Sequence, residues 1–375
     1  MARIIFLLGF ITVLWLPLVQ MRYGFFNETP LSENRKLAPL PELSGWRHLD
    51  RSAKDGIKWF DDHFGFRDTL IRAKTQIDYS VLGISSRIHI GTDGWLFYRS
   101  VMDVEKPATE LMLRGAGEGG SANNSDAVIA GARALAAKLA ARGVQLIVMV
   151  APMKDLYYGS HLPRTARQLP QPQQITLLQQ RLQQIPGLMY LDSAPILRQV
   201  AQSRTVFHRT DFHWNAPAAF AVSQALVNRL GQREGHAQPV WQHTLEIERR
   251  TFSGGEASFM PLFFPPTEQG LFVRKNWVEP AHHIVRKQAP FEWIYVSEQP
   301  QAAPLGTMVV LGDSFFDAME ESGTQIYFSK LYRARASDAN LDAVLAALPS
   351  DTRYFFLEFI EVSNAAMMNL AQQAK

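Results

Sequence analysis

The chain has 375 residues, 47% of them hydrophobic and 19% charged, which is typical of a globular protein with a full core rather than of a disordered one. Its 38 Lys and Arg against 35 Asp and Glu leave a formal net charge of +3, too small to indicate a nucleic-acid partner. Because there are no cysteines, a thiol nucleophile, a disulfide framework and a thiolate metal site are excluded.

The first element in the chain is an apolar run from Ile4 to Val19, which follows one cation at Arg3. A short cationic start followed by such a run is typical of an export signal. No small-x-small cleavage site comes after it, so residues 1–22 are predicted to be an uncleaved signal anchor or transmembrane segment. The remainder of the chain is then expected to lie outside the bacterial cytoplasm.

Residues 23–55 contain several prolines and polar residues without apolar periodicity, and are predicted to be a tether. Residues 56–375 are predicted to form the main domain. Within it, 67–82 has the spacing of an amphipathic helix. Gly91 to Tyr98 (GTDGWLFY) combines an Asp-Gly turn with an aromatic strand, which indicates a hairpin.

From residue 126 onward, helical segments alternate with short apolar strands, which predicts an α/β fold with a mainly parallel sheet flanked by helices. The predicted helices are 126–141, capped by Asp126, 175–184, 216–230, one that begins at Phe315 and one at the C-terminus. The predicted strands are 144–150, 188–191, 307–311 and 353–359. Residues 114–125, rich in Gly, Asn and Ser, are predicted to be a loop, and about 235–300 an irregular insertion of short strands.

The hexamer LGDSFF at 311–316 places Ser314 between a predicted buried strand and a predicted helix. A serine on such a turn is exposed at the carboxyl end of the sheet, where α/β folds bind ligands. Its backbone N–H, at the start of the helix, is able to help stabilise an oxyanion. Gly312 allows the sharp turn and the close approach of a substrate. The alternative is that Asp313 and Ser314 only cap the helix.

The second chemical signal is TDFHWN at 210–215. In an extended chain, residues two apart point to the same side, so Asp211 and His213 are expected to lie together. A serine hydroxyl needs a base to take its proton, and a histidine base needs its tautomer and position fixed. Asp211, His213 and Ser314 supply these parts, which predicts a Ser-His-Asp triad. The alternative is a surface Asp and a His packed against Trp214.

A GDS serine in an α/β sheet resembles the SGNH (GDSL-type) hydrolases, whose serine lies near the N-terminus and whose Asp-x-x-His pair lies near the C-terminus. Here the Asp-His element comes first, and one residue separates its members rather than two. This permuted order is similar to that of the alginate O-acetylation proteins of the J and X type and of related cellulose-acetylation proteins. The stretches in the order of that family are WFDDHFGFRD (59–68), GTDGWLFY (91–98), APMKDLYY (151–158), TDFHWN (210–215) and LGDSFF (311–316).

The resemblance implies an SGNH hydrolase-like fold with permuted motif order and an O-acetyltransferase activity. Ser314 would take an acetyl group and pass it to a hydroxyl of an exported bacterial exopolysaccharide, alginate or cellulose. His213 would act as the base and Asp211 would orient it. The implied partners are a multi-spanning membrane O-acyltransferase that supplies the acetyl group and other exopolysaccharide synthesis and export proteins. No cofactor and no metal are expected, and the catalytic domain would lie in the periplasm, anchored to the inner membrane.

Four further residues are predicted to contact the substrate. The family's Pro-Asp-Lys piece reads Pro-Met-Lys at 152–154, so its acid is absent, and Lys154 and Tyr158 are taken as pocket residues. Trp214 is able to stack on a sugar, although a buried tryptophan beside the active strand is the competing interpretation. Asn215 is the candidate for a side-chain oxyanion donor.

Three other functions stay open. One is a carbohydrate acetylesterase with the same triad. Another is a metal hydrolase that uses His208, Asp211 and His213, completed by His282 or His283, although this leaves the GDS serine unexplained. The third is a non-catalytic polysaccharide-binding or assembly protein that uses aromatic residues such as Trp95, Trp241, Trp277 and Trp293. Nucleotide binding is excluded because the chain has neither G-x-G-x-x-G nor a P-loop.

Overall fold

The structure, a computed structural model, describes residues 1–27, 30–31, 36–41, 49–99, 121–164, 166, 174–361 and 363–374. The chain forms two compact units. One consists of Met1–Ser86 with Ser258–Pro265, and the larger one of Arg87–Ala257 with Pro266–Lys375. Residues 56–86, which are predicted from the sequence as part of the main domain, therefore lie in the N-terminal unit.

The N-terminal unit is helical over the residues described. Its helices are α1 (Ala2–Tyr23), α2 (Leu49–His63) and α3 (Arg67–Ile77), and α3 continues into a π-helical turn (Asp78–Leu82). Helix α1 is long and apolar enough to cross a membrane, since 22 residues span about 33 Å. It ends at Gly24, whose φ of 59° is left-handed.

The predicted helix at 67–82 is confirmed. The predicted tether is not wholly irregular, because α2 begins at Leu49 with an apolar stripe that recurs at helical spacing. The parts of the tether at 28–29, 32–35 and 42–48 lie outside the described residues.

The larger unit opens with the expected hairpin. Strands β1 (Ile88–Ile90) and β2 (Leu96–Tyr98) pair antiparallel. The turn between them, Thr92–Gly94, has positive φ at Asp93 (54°) and Gly94 (78°). An Asp-Gly pair tolerates this conformation, so the turn chemistry explains why the hairpin forms here.

The main sheet has seven strands in the order β4-β3-β11-β9-β10-β8-β7. The first five run parallel, and β8 and β7 add to the edge antiparallel. Their bounds are β3 (Gln145–Ala151), β4 (Leu188–Tyr190), β7 (His282–Gln288), β8 (Phe291–Ser297), β9 (Thr307–Gly312), β10 (Lys330–Arg335) and β11 (Thr352–Ile360). Strands β5 (Glu246–Phe252) and β6 (Glu268–Arg274) form a separate antiparallel pair. The mainly parallel α/β sheet expected from the sequence is confirmed.

The helices of this unit lie between these strands in the chain. They are α4 (Ser121–Ala140), α5 (Asp155–Tyr158), α6 (Gln174–Gln183), α7 (Ser193–Ala201), α8 (Ala216–Arg233), α9 (Gly255–Ser258), α10 (Phe315–Glu321), α11 (Leu341–Ala346) and α12 (Asn364–Gln372). Apolar side chains of α4 and α12 pack in one buried cluster with Val309 and Leu311 of β9. Those of α8 and α10 pack in another with Met308 and Val310. The alternation along β9 thus buries both faces of the sheet.

Two predicted segments differ in the structure. Residues 121–125, expected in a loop, form the first turns of α4, because Ser125 is buried and tertiary packing overrides low helix propensity. Residues 114–120 of that expected loop lie outside the described residues. Asp126 is therefore not a cap; its carboxylate lies 2.6 Å from the Arg181 guanidinium.

The predicted insertion at about 235–300 is also only partly an insertion. Strands β7 and β8 fall within it but extend the main sheet, and only the β5–β6 pair stands apart from that sheet. Strand β10 is not predicted from the sequence because Lys330, Arg333 and Arg335 interrupt its apolar pattern. The Arg333 side chain is nevertheless fully buried.

Candidate active site

Ser314 lies where β9 ends and α10 begins. All six residues of β9 are buried, and the strand is held on both sides by parallel neighbours, β10 and β11. Ser314 is the residue before α10, but its side chain makes no capping hydrogen bond. The capping alternative therefore fails for Ser314, and its hydroxyl is available for chemistry at the carboxyl end of the sheet.

The structure brings the three predicted catalytic side chains together. The Ser314 Oγ lies 2.6 Å from His213 Nε2, and His213 Nδ1 lies 2.6 Å from Asp211 Oδ1. Both separations are hydrogen-bonding distances. The order hydroxyl, imidazole, carboxylate is the geometry in which a histidine base activates a serine nucleophile.

Asp211 and His213 share a turn rather than an extended strand. Phe207 and Trp214 form an antiparallel bridge, and the His208 N–H donates to the carbonyl oxygen of His213 at 3.3 Å. We call Phe207–Trp214 the histidine hairpin. At its tip Asp211 Oδ1 accepts the N–H of His213 at 2.9 Å, so the side-chain pairing expected from extended chain arises instead from a local Asp turn.

The second oxygen of Asp211 is also occupied. Its Oδ2 accepts the N–H of Gly255, at the start of α9, at 2.6 Å. A Cβ on Gly254 would come within 2.5 Å of the Asp211 Cβ. Only glycine at this position therefore lets the backbone pass so close to Asp211. Burial acts to raise the pKa of Asp211, but the hydrogen bonds and charge of His213 and the Gly255 N–H outweigh it and lower that pKa. The carboxylate therefore stays ionised beside the imidazole.

Lys154 supports the histidine hairpin from beneath and does not line an open pocket. Its ammonium donates to the carbonyl oxygens of His208 (3.3 Å), Arg209 (3.0 Å) and Asp211 (3.0 Å), and it pairs with Glu256. Only 1% of the Lys154 surface is exposed. The prediction of a substrate contact is wrong, because every donor of the ammonium is directed at the protein itself.

Glu268 is a second support that sequence reasoning missed. One carboxylate oxygen accepts the N–H and hydroxyl of Thr210, both at 2.7 Å, and the other accepts the N–H of Arg209 at 3.0 Å. Glu268 lies at the start of β6, within the segment that is irregular by sequence pattern. An isolated acid there carries no local signal of its role.

A buried ionic cluster lies under the serine turn. Glu358 accepts the N–H of Asp313 at 3.0 Å, and Arg333 donates to the carbonyl oxygen of Asp313 at 2.6 Å. Burial, followed by the negative charge of Asp313, raises the pKa of Glu358 well above its usual range. A Cβ on Gly312 would lie 2.8 Å from Glu358 and 2.9 Å from Arg333, so glycine is needed for packing against this cluster.

The capping role falls to Asp313 rather than to Ser314. Its two carboxylate oxygens accept the N–H groups of Phe315 (2.8 Å) and Ile360 (2.7 Å). Burial raises the pKa of Asp313, although those two hydrogen bonds act to lower it. The aspartate of the GDS motif thus ties the serine turn to the end of β11.

Of the remaining predicted contacts, Trp214 and Asn215 have structural roles. The Trp214 side chain is fully buried and its Nε1–H donates to the carbonyl oxygen of Phe315 at 3.0 Å, which favours the buried alternative over sugar stacking. Asn215 caps α8, and its side-chain amide donates to the carbonyl oxygen of Thr205 at 2.7 Å. It is therefore not free to serve an oxyanion. Tyr158 is part-exposed, and its hydroxyl accepts the N–H of Val206 at 3.0 Å.

The residues of the metal alternative are not arranged as a metal site. His208 lies against Phe252 and Phe272, and His282 and His283 lie on β7. Over the ranges the structure describes, which include all five candidate ligands, no group of three or more His, Asp or Glu side chains is placed to hold a metal ion. His213 of that scheme instead lies within hydrogen-bonding distance of Ser314 and of Asp211.

Residues 88–268 match the family model described as SGNH hydrolase-like domain, acetyltransferase AlgX. This range contains Asp211 and His213 and ends before Ser314. A curated relative, the probable alginate O-acetylase AlgJ of Pseudomonas aeruginosa, is 30% identical over 228 residues, which is 58% of this chain and 54% of the relative. The chain thus spans about half the length of that relative.

One solved structure of low sequence identity shares the fold, and a second overlaps with it less well. PatB1 of Bacillus cereus is 14% identical, with a TM-score of 0.50 over 73% of this chain and 95% of that one. The O-acetyltransferase domain of Pseudomonas putida AlgJ is 15% identical, with a TM-score of 0.48 over 76% of this chain and 98% of that one. The family match and the curated relative confirm the resemblance drawn from the sequence: residues 88–268 are similar to the SGNH hydrolase-like domain of that acetyltransferase family.

Proposed function

We propose that the protein is a membrane-anchored O-acetyltransferase, which moves an acetyl group through a Ser314 acetyl-enzyme to a hydroxyl of an exported exopolysaccharide such as alginate or cellulose. The observation that carries the proposal is the pair of 2.6 Å contacts from His213 to Ser314 and to Asp211. The family description, acetyltransferase, and the relative's name, alginate O-acetylase, support the choice of acyl group and acceptor.

In the first half-reaction, Ser314 Oγ attacks the carbonyl carbon of the acetyl donor while His213 Nε2 takes the hydroxyl proton. The tetrahedral oxyanion forms near the N-terminus of α10, where the Ser314 backbone N–H is placed to stabilise it. His213 then protonates the departing group, leaving acetyl on Ser314. Asp211 holds the Nδ1–H of the imidazole and balances the charge that forms on it.

In the second half-reaction, His213 takes a proton from a sugar hydroxyl, whose oxygen attacks the acetyl-enzyme. Collapse of the second tetrahedral intermediate releases the acetylated sugar, and the proton returns to Ser314 Oγ. The rings of Phe212 and Phe315 lie 4.1 and 5.1 Å from that of His213, so aromatic side chains border the imidazole that carries out both proton transfers.

The apolar helix α1 fits a membrane anchor. We propose that it holds the catalytic unit at the periplasmic face of the inner membrane, beside a multi-spanning O-acyltransferase that hands over the acetyl group. Other exopolysaccharide synthesis and export proteins would act with it. Such a partner supplies a donor outside the cytoplasm, where acetyl-CoA is absent.

The test uses the full chain in detergent with a small activated acetyl ester. We expect the parent to gain the mass of one acetyl group, and Ser314→Ala to lose both the adduct and at least about 10³-fold of ester turnover, as removal of a triad nucleophile does. Ser337→Ala, which changes an exposed serine, is the matched control and keeps both. Adding oligosaccharide acceptors then separates transfer from hydrolysis. An adduct that survives in Ser314→Ala, or no adduct in the parent, contradicts the mechanism.

A further inference from the structure

Helix α3 of the N-terminal unit and the π-helical turn after it carry an exposed apolar stripe. We call it the α3 stripe, and its members are Leu70, Ile77, Val81 and Leu82, each of them more than half exposed. Residues four and seven apart lie on one side of a helix, and the π-helical turn brings Leu82, five residues after Ile77, to that side as well. A continuous exposed stripe of this kind marks a surface for a membrane or for a partner protein.

The loop Ser258–Pro265 adds to this apolar surface. It belongs to the same compact unit as α3. The N–H of Phe264 donates to the side-chain oxygen of Gln76 at 3.0 Å, and Gln76 directly precedes Ile77 of the α3 stripe. Phe264 is 78% exposed. An exposed aromatic side chain is therefore held close to the α3 stripe.

The start of α3 contacts the last turns of α1, the helix proposed to anchor the protein. Gly65, two residues before α3, packs so closely on α1 that a Cβ there would lie 2.9 Å from the Cβ of Gln20. The apolar run of α1 ends at Val19, next to this contact. If α1 spans a bilayer, the contact lies where the hydrocarbon core gives way to the headgroups. Helix α3 therefore begins at the level of the membrane surface.

The segment after α1 is fixed at the same level. The Gln20 side chain donates to the carbonyl oxygen of Phe26 at 2.7 Å and accepts its N–H at 3.0 Å. The Phe26 ring lies 5.6 Å from the ring of Phe66, the residue before α3. Two contacts, through Gly65 and through Phe66, thus join α3 to the end of α1.

Charge does not explain what covers the α3 stripe. Residues 49–83, which include α2 and α3, contain six Lys and Arg and six Asp, so their formal charges cancel. An oppositely charged partner would gain little from this region. Burial of the apolar side chains must therefore supply the free energy of binding.

We propose that α3 lies flat in the headgroup region of the bilayer that α1 spans, with the α3 stripe and Phe264 directed at the acyl chains. A stripe along the whole length of a helix meets the bilayer throughout only when the helix lies parallel to the membrane plane. Lipid is the occupant because the contact with α1 already holds one end of α3 at the membrane surface. The inference rests on α1 as the anchor in the proposed function, and no part of it depends on the triad.

The test uses the full chain, reconstituted at low protein content into vesicles of phosphatidylethanolamine and phosphatidylglycerol. Because the chain has no cysteines, a nitroxide on one introduced cysteine reports that position alone. The variants are Val81→Cys in the stripe, Leu14→Cys on α1 as the membrane reference, and Ser80→Cys, an exposed polar neighbour off the stripe, as the matched control. We expect the ratio of oxygen to water-soluble nickel accessibility to be at least about threefold higher at Val81 than at Ser80, because oxygen concentrates among acyl chains.

A second substitution tests whether the stripe itself is responsible. Adding Ile77→Asp, a charge at an exposed position, should lower the ratio at Val81 to that at Ser80, whereas Ile77→Leu should leave it unchanged. Acetylation of Ser314 by the small ester should be the same in Ile77→Asp as in the parent, so this result is separate from the triad.

Three results would overturn the inference. Equal ratios at Val81 and Ser80, with a lipid-type ratio at Leu14, would exclude lipid as the occupant and leave the anchor in place. Poor access of both reagents to Val81 would show contact with a second copy of the chain, since the vesicles hold no other protein. A water-type ratio at Leu14 would overturn the anchor and the inference together.

Discussion

The serine turn (Gly312–Phe315) and the histidine hairpin meet at one pair of atoms but are built in different ways. The turn ends β9, a buried strand with parallel neighbours on both sides. The hairpin has one backbone bridge and owes its shape to Lys154 and Glu268, which bind its backbone groups. The nucleophile is therefore positioned by the sheet, and the base by buried side chains distant in sequence.

This difference implies different responses to substitution. Changes beneath the hairpin should displace His213 and remove activity together with stability, because Lys154 binds three of its carbonyl groups and Glu268 binds two of its N–H groups. Changes beneath the serine turn should be tolerated better where the replacement fills the same space, since neighbouring strands still hold the backbone. Three substitutions test this contrast, from the largest expected effect to the smallest.

Asp211→Asn replaces the hairpin carboxylate that contacts His213 with an amide. We expect kcat to fall by about 10³- to 10⁴-fold, because an amide no longer fixes the imidazole tautomer or balances its charge. The measurement is ester turnover, with circular dichroism to verify folding.

Since the folded pKa of Asp211 is lowered, its ionised form stabilises the protein above pH about 4 and loses that effect as pH falls through the folded value. The stability difference between parent and variant should therefore close in acid; a difference that stays constant would refute this assignment.

Lys154→Met removes the ammonium that holds three hairpin carbonyl groups. We expect a loss of about 3–5 kcal/mol in the free energy of unfolding, because Glu256 is left as an unpaired buried carboxyl. Urea unfolding measures it, and ester turnover should fall as well. Lys330→Met is the control: its pair with Asp351 is part-exposed, so the cost should stay below about 1 kcal/mol. Combining Lys154→Met with Glu256→Gln should recover part of the loss, and no recovery would contradict the paired-charge explanation.

Glu358→Gln changes the cluster under the serine turn while keeping its shape. Because the folded pKa of Glu358 is raised, its contribution to stability is complete below pH about 4 and is lost as pH rises through the folded value. We expect the variant to match the parent within about 1 kcal/mol in acid and to become the more stable of the two as pH rises. Unfolding at a series of pH values measures this, with Glu246→Gln, an exposed glutamate, as control. A variant that loses stability relative to the parent as pH rises would show that the turn depends on the Glu358 charge and would contradict the raised pKa.

The sequence was sufficient for features that depend on neighbouring residues. The buried strands β3, β9 and β11 were predicted to within two residues at each end, because nearly every residue in them is apolar. The sequence also points to the three side chains that the structure brings within 2.6 Å of one another, since Asp211 and His213 lie in one short motif and Ser314 in another. The sequence predicts Lys154 as a pocket residue, because its burial beneath the hairpin has no local signature.

What the sequence by itself determined is the alternation of elements, the anchor-like helix and the two chemical motifs, because these follow from local hydrophobic pattern and residue type. Only the tertiary structure decided that Gly255 and Glu268 brace the hairpin and that Glu358 and Arg333 lie under Ser314. Such contacts join residues far apart in the chain, and their free energy comes from burial and pairing that exist only after folding.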